Sequence, residues 1–249
     1  MKNTTLWLSL CRNLLISIGI YGALMLLLWG AQVLFDYELL HFGNAAWCVG
    51  IPASVIGVAY ILTIRDPQNF TGFFAGIVMS ALLGVQFFLQ GQIDSTFLYF
   101  FVFIPFQMMS IYIWSRSKGE GGASFETQFL DTPRFWLTIG LFVVLTVGDY
   151  MIASFAFQKD GLTENVAVKL LNGLMISSSF LANYWLIYRK NDAWIYWIMY
   201  SVAGIGLFIL LHNVFSIVLF IFFLIINGSA GVAWIKMTKR ENYGWLIGK

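Results

Sequence analysis

Gln107-Met108-Met109-Ser110-Ile111-Tyr112-Ile113-Trp114, with Arg116 two residues on, closes one long apolar run. Asn227-Gly228-Ser229-Ala230-Gly231-Val232-Ala233-Trp234, with Lys236 two residues on, closes another. Each places an amide inside apolar sequence, a tryptophan seven residues later and a base beyond it. In a membrane helix an interior amide binds something or contacts another helix, and the Trp–base pair marks the edge of the hydrocarbon. The pattern is stated twice, so the chain reads as a duplicated set of membrane helices.

The rest of the sequence agrees. Of 249 residues, 59% are hydrophobic and 10% charged, with a mean hydropathy of +0.79. About 20 apolar residues cross the hydrocarbon core, and eight such runs occur, at roughly 13–35, 43–64, 70–90, 95–115, 134–157, 164–188, 193–211 and 214–236. This predicts an all-α polytopic membrane protein with eight transmembrane helices. The runs are continuous rather than alternating, which excludes a barrel. A net charge of +2 is too small for a nucleic-acid binder. Cys11 and Cys48 lie in or beside apolar runs and read as buried thiols, not a disulfide. The first run is too long for a signal-peptide core and reads as a retained helix.

With the N-terminus inside, twelve of the fourteen bases fall on the cytoplasmic side, and only Lys159 and Lys169 fall outside. Both termini and the 116–133 linker are therefore expected in the cytoplasm.

The duplication extends beyond the opening motif. Tyr60-x-Leu62-x-x-Arg65 and Tyr184-x-Leu186-x-x-Arg189 match at an offset of 124, as do Ser54 and Ser178. At the same offset, Phe70 and Phe73 match Trp194 and Trp197. The offset falls to 120 at Gln107 and Asn227, which places a four-residue loss in the loop between the last two helices of the unit. The plan is an N-terminal extra helix (1–40) and a first triple-helix repeat (41–116). A linker with an inversion helix (117–160), a second triple-helix repeat (161–238) and a tail (239–249) follow. The two triple-helix repeats are parallel, a 3+1+3 core.

That arrangement resembles the SWEET sugar-transporter architecture. Arg189-Lys190 followed by Trp194-x-x-Trp197-Ile198, the Asn227-Gly228-Ser229 triplet and Gln107…Tyr112-x-Trp114-Ser115-Arg116 together resemble the PnuC family of vitamin transporters. One departure is Gln107, where other members have Asn. The resemblance covers about residues 40–240. It implies facilitated uptake of nicotinamide riboside, a pyridinium cation, across a bacterial inner membrane, with a cytoplasmic riboside kinase preventing return. The same fold carrying another vitamin or a sugar is the alternative. An oligomer is possible; nothing in the sequence sets a subunit number.

Four mid-span amides are the first candidates for binding substrate: Gln107, Asn227, Asn172 and Gln86. Amides supply both donors and an acceptor, as ribose hydroxyls and a carboxamide require; helix–helix contact is the plainer role. Gln107 and Asn227 hold matching positions and are expected to face each other across a cavity between the repeats. Trp197, about one turn inside its span, would stack on a pyridinium, worth ~1–2 kcal/mol when desolvated. Trp185 and Tyr112 are further substrate-facing candidates, and Trp194, Asn183 and Tyr200 are gate or interface residues. Trp7, Trp114, Trp136, Trp234 and Trp245 read as interface-belt residues. Pro105 and Pro52 are expected to kink their helices. Asp149 is the single acid within a span, a poor basis for ion coupling. No catalytic set, phosphate loop or metal-ligand spacing occurs, so neither an enzyme nor a cofactor or metal is expected.

Overall fold

The structure, a computed structural model, describes residues 2–35, 45–89, 93–116, 126–155, 165–212 and 214–248. The linker glycines, His41 and Asn213 lie outside them. In order the elements are α1 (Lys2–Phe35), α2 (Ala45–Ile64), α3 (Gly72–Leu89), α4 (Ile93–Leu98), a π-helical turn (Tyr99–Phe103), α5 (Ile104–Arg116), α6 (Thr132–Phe155), α7 (Val166–Ile187), α8 (Asp192–Leu210) and α9 (Val214–Met237). Two short 3₁₀ turns, Arg240–Asn242 and Gly244–Ile247, finish the chain. Among the described residues, seven helices are long and apolar enough to cross a membrane, and the eighth, α2, is a shorter apolar helix. The sequence's eight spans are these, with α4, the π turn and α5 forming one.

The chain divides into two compact units, residues 1–125 and 126–249. In the first, α1 packs on α2, α2 on α3, and α3 on the α4–α5 span; in the second, α6 packs on α7, α7 on α8, and α8 on α9. Each triple-helix set thus has a leading helix against its first member.

Polar side chains fasten α1 to its neighbours. Asn13 Nδ2 donates to Thr63 Oγ1 at 3.0 Å and Ser17 Oγ donates to the Val55 carbonyl. The Leu6 carbonyl accepts from Asn69 Nδ2 at 3.4 Å and Thr71 Oγ1 at 3.3 Å. The sequence places the start of this span near residue 13; the helix begins at Lys2. Polar Asn3, Thr4, Thr5 and Ser9 blur the hydropathy there, yet Leu6, Trp7, Leu8 and Leu10 continue the apolar run.

The triple-helix contacts use glycine where one ring meets a facing backbone. A Cβ at Gly84 on α3 would lie 2.6 Å from the Phe100 ring, and one at Gly204 on α8 would lie 2.1 Å from the Phe220 ring. Both pairs are separated by the offset of 120 seen at Gln107 and Asn227. The structure therefore corrects the register. Residues 65–71 join α2 to α3, whereas only 188–191 join α7 to α8; the later connections, Leu89 to Ile93 and Leu210 to Val214, are equal. The shortening lies in the first connection of the repeat, not the last. In the second unit a tight turn with Arg189 at φ 53° makes the shorter passage.

Pro52 lies inside α2. Pro105 lies two residues past the π turn, which closes with a bond from the Ile104 N–H to the Tyr99 carbonyl. The wider turn accommodates the missing proline donor within a continuing helix.

Several aromatic and thiol assignments change. Trp114 and Trp234 are fully buried, not belt residues. Trp114 meets Phe73 edge-on at 4.7 Å, and Trp234 meets Trp194 at 5.4 Å. Trp245 stacks on Phe135 at 4.1 Å and donates from Nε1 to Asp192 Oδ1 at 2.7 Å. Trp7 and Trp136 do point outward. Cys11 and Cys48 form no disulfide and are exposed. An apolar setting predicts burial in a water-soluble protein, but a membrane helix turns apolar residues to lipid as readily as to protein.

Candidate functional site

In the first unit Gln107 is 2% exposed. Its Nε2 donates to Tyr60 Oη at 3.3 Å, joining α5 to α2. The amide lies over Gly76 of α3, where a Cβ would come within 2.8 Å of it. Phe73, one turn earlier, packs between the Tyr60 ring at 6.1 Å and the Trp114 ring. Ser110, a turn beyond Gln107, is buried and bonds back to the Phe106 carbonyl at 2.9 Å. The centre of this unit is therefore an amide and a phenol surrounded by aromatic rings.

In the second unit Asn227 is 1% exposed. Its Nδ2 donates to Ser201 Oγ at 3.2 Å and to the Trp197 carbonyl at 3.4 Å, joining α9 to α8. Ser201 Oγ itself donates to the Trp197 carbonyl at 2.9 Å. The Asn227 Oδ1 is buried and has no hydrogen-bond partner among the described residues. A buried acceptor left unsatisfied costs ~1–3 kcal/mol, so this oxygen is suited to a donor brought by a ligand. Trp197 is buried and meets Tyr200 edge-on at 5.5 Å, and Tyr200 leans on Phe220 at 5.3 Å. The structure thus groups Asn227, Trp197 and Tyr200, to which Ser201 must be added.

Trp194 is buried against Trp234, with its Cβ 3.1 Å from where a Cβ of Gly231 would stand. It does for Trp234 what Phe73 does for Trp114. The offset of 124 pairs Phe73 with Trp197 instead, because it carries the register of α2 and α7 past the shortened turn.

Asn172 meets the one acid that the sequence places within a span: its Nδ2 lies 3.5 Å from Asp149 Oδ2, between α7 and α6. Gly173 beside it lets the helices approach, since a Cβ there would stand 2.9 Å from the Thr146 carbonyl. Thr146 and Ser177 hydroxyls share a hydrogen bond of 2.6 Å at the same crossing. Gln86 lays its amide on Gly50 of α2, 2.8 Å from a Cβ position there. Asn183 is buried and bonds back to the Ser179 carbonyl at 2.9 Å.

Tyr112 stands apart from Gln107. It is 56% exposed, with the Arg116 guanidinium 4.1 Å from its ring centre. Trp185 lies away from Asn227, edge-on to Tyr184 at 4.9 Å near the C-terminal end of α7. Among the described residues no group of His, Cys, Asp and Glu could hold a metal ion.

The sequence does not single out Tyr60 and Ser201, which the structure shows as the hydrogen-bond partners of the two amides. The signal for Tyr60 was its place at the head of the duplicated Tyr-x-Leu-x-x-Arg motif. Ser201 gave none beyond being a hydroxyl four residues after Trp197.

Comparison with known proteins gives two matches. The model of a family described as nicotinamide mononucleotide transporter matches residues 47–236. Among solved structures, the crystal structure of the vitamin B3 transporter PnuC is similar, with a TM-score of 0.64 and 18% identity, covering 91% of this chain and 90% of that one. No curated protein sequence matches. The second match supports the fold, and the first spans all of the helices that carry the amides described above.

Proposed function

Because this chain belongs to the nicotinamide mononucleotide transporter family, we propose that it carries nicotinamide riboside across a bacterial inner membrane, as a uniporter working by alternating access. The family makes it a multi-pass membrane transporter. The substrate, the energetics and the placement of both termini in the cytoplasm are our reading.

The observation that carries it is the pair of buried amides at matching positions, Gln107 beside Tyr60 and Asn227 beside Ser201. Each unit offers an amide and a hydroxyl, the mixture of donors and acceptors that a ribose and a carboxamide need. Trp197 and Tyr200 supply ring faces for a pyridinium. Gln107 meets the Tyr60 hydroxyl and Gly76, and Asn227 meets the Ser201 hydroxyl and the Trp197 carbonyl, all of them neutral groups. A phosphate drawn from water into such surroundings would meet an uncompensated desolvation cost. This favours the riboside over its mononucleotide.

Uniport is our reading of the sparse acids within the spans, of which Asp149 lies against the Asn172 amide of the same unit. Accumulation then requires a cytoplasmic kinase that removes free riboside. In liposomes the purified protein should equilibrate labelled nicotinamide riboside with no ion gradient. The potential must be clamped at zero, because a cation is otherwise redistributed by ~2.3 kcal/mol per 100 mV. Unlabelled riboside should compete, and the mononucleotide, thiamine, riboflavin and sugars should not. Accumulation driven by an imposed proton or sodium gradient would refute uniport, and equal competition by the mononucleotide would refute the substrate.

A further inference from the structure

A recess lies within the C-terminal unit, and Asn227 is not among the residues that line it. It has a volume of about 380 Å³ and is lined by Tyr184, Trp185 and Tyr188 at the end of α7, by Lys190, by Gln128 and by Arg134 at the start of α6. The size falls at the small end of the usual range for ligand sites, roughly 300–1,000 Å³.

The recess is a held structure rather than a gap between mobile side chains. Gln128 and Lys190 form a parallel bridge. The Gln128 N–H donates to the Arg189 carbonyl at 3.4 Å, and the Asn191 N–H donates to the Gln128 carbonyl at 2.9 Å. The Lys190 N–H is tied to the Trp185 carbonyl at 3.0 Å. Thr127, the residue before Gln128, is anchored in turn through its hydroxyl to Thr238 at 2.7 Å. On the aromatic side, Tyr184 meets Trp185 and Tyr188 edge-on, at 4.9 and 5.5 Å.

Three observations say what would occupy it. Lys190 is only 8% exposed, yet its side chain reaches the recess, and among the described residues its ammonium forms no ion pair or hydrogen bond within range. Burial, and then the neighbouring Arg134 charge, push this ammonium below the usual lysine range, against a smaller opposing pull from Asp192 and Asp131. Arg134 meets Asp131 through Nε at 3.5 Å, an exposed contact that leaves the terminal guanidinium nitrogens for another acceptor. The Trp185 Nε1 is buried and has no hydrogen-bond partner among the described residues. Two cations, a spare indole donor and an amide converge where the ordinary interface belt would place aromatic rings alone.

We propose that this recess binds a phosphate-bearing ligand, with Arg134 and Lys190 on the phosphate oxygens and the Trp185 indole and Gln128 amide beside them. A planar guanidinium and a compact ammonium are the two side chains suited to that anion. The phosphate could belong to the head group of an anionic lipid or to a soluble nucleoside monophosphate. This goes beyond the riboside site and does not depend on it.

The test uses the full-length protein in neutral detergent. Calorimetric titration and thermal unfolding are followed with inorganic phosphate, with adenosine monophosphate, and with short-chain phosphatidylglycerol against phosphatidylcholine. Binding of the monophosphate identifies a soluble ligand; binding of phosphatidylglycerol but not phosphatidylcholine identifies a lipid. Either supports the proposal when Arg134→Gln and Lys190→Gln each weaken that binding ten-fold or more, Lys190→Arg retains it, and nicotinamide riboside binding stays within two-fold. Arg134 is exposed, so its variant is expected to fold whatever happens at Lys190. Absence of binding by every phosphate probe, or binding that both glutamine variants retain, would overturn it.

Discussion

Replacing Asn227 by leucine removes an acceptor and two donated hydrogen bonds from the middle of α9 while keeping much of the side chain's volume. The local cost to the fold is limited by what remains. Ser201 Oγ keeps its own bond to the Trp197 carbonyl at 2.9 Å, so neither partner of the Asn227 amide is stranded. The Oδ1 that disappears was already buried without a partner among the described residues, so its removal relieves the free protein of an unsatisfied group. Folding stability should therefore change by no more than about 1 kcal/mol. Binding should change by more. If a substrate donor pairs with Oδ1, leucine leaves that donor unsatisfied in a dry site, at ~1–3 kcal/mol. That corresponds to a loss of roughly 5- to 150-fold in affinity. Calorimetric titration of nicotinamide riboside into purified wild type and variant reads the affinity, and thermal unfolding without ligand reads the fold. An unchanged affinity would refute the binding role and leave Asn227 as a contact between α8 and α9. A large loss of stability in the unliganded variant would refute the packing account instead.

Gly204→Ala should overpack α8 against α9, because its Cβ would stand 2.1 Å from a Phe220 ring flanked by Tyr200 and Phe208 at 5.3 Å each. A loss of ~1–3 kcal/mol, read as a lowered Tm, is expected, whereas Gly228→Ala meets open space and should raise helix stability by up to about 1 kcal/mol; equal effects would contradict the contact. Asp192→Ala should destabilise the second unit by ~1–3 kcal/mol for each donor it strands, since its carboxylate accepts from the Leu130 N–H at 2.8 Å and from Trp245 Nε1. Limited proteolysis should then cut the C-terminal 3₁₀ turns faster; an unaltered cleavage rate would show that the tail is held by its other contacts, among them Phe135 and the Leu130 carbonyl. Trp197→Leu should reduce affinity for the cationic riboside more than for its uncharged reduced analogue, and equal losses would reduce Trp197 to apolar packing. In intact cells, Glu241→Cys in a background lacking Cys11 and Cys48 should resist an impermeant thiol reagent; labelling would reverse the proposed orientation.

The helices were legible because the hydrocarbon core demands length and apolarity, and both can be read residue by residue. Gln107 and Asn227 were legible for the opposite reason: an amide stands out against apolar sequence, and here it stands out twice at the same place. The burial of Trp114 and Trp234 was not legible. Tryptophan at a membrane edge satisfies the belt pattern whether its ring turns to lipid or to Phe73 and Trp194, and hydropathy cannot tell those directions apart. The register was misread for a related reason. Aromatic residues are so frequent that Phe70 and Phe73 match Trp194 and Trp197 at an offset of 124 without being structural equivalents. The glycine–phenylalanine contacts at Gly84 and Gly204 carry the true offset, and only facing helices reveal which glycine a ring fills.

The two units keep the position of the amide while changing what it meets, and side-chain length explains the difference. Glutamine is one methylene longer than asparagine, so Gln107 must extend across the face of α3, and Gly76 supplies the space. A Cβ there would stand within 2.8 Å of the amide. The extra reach takes its Nε2 to Tyr60 on α2, two spans away in sequence from that of α5. Asn227 cannot reach so far and bonds to the adjacent helix, at Ser201 and the Trp197 carbonyl. One unit therefore presents a phenol held by an amide, and the other an amide oxygen held beside a tryptophan. The two units of this duplicated chain thus keep one amide position and give it unlike partners, the Tyr60 hydroxyl in one and the Ser201 hydroxyl with the Trp197 carbonyl in the other.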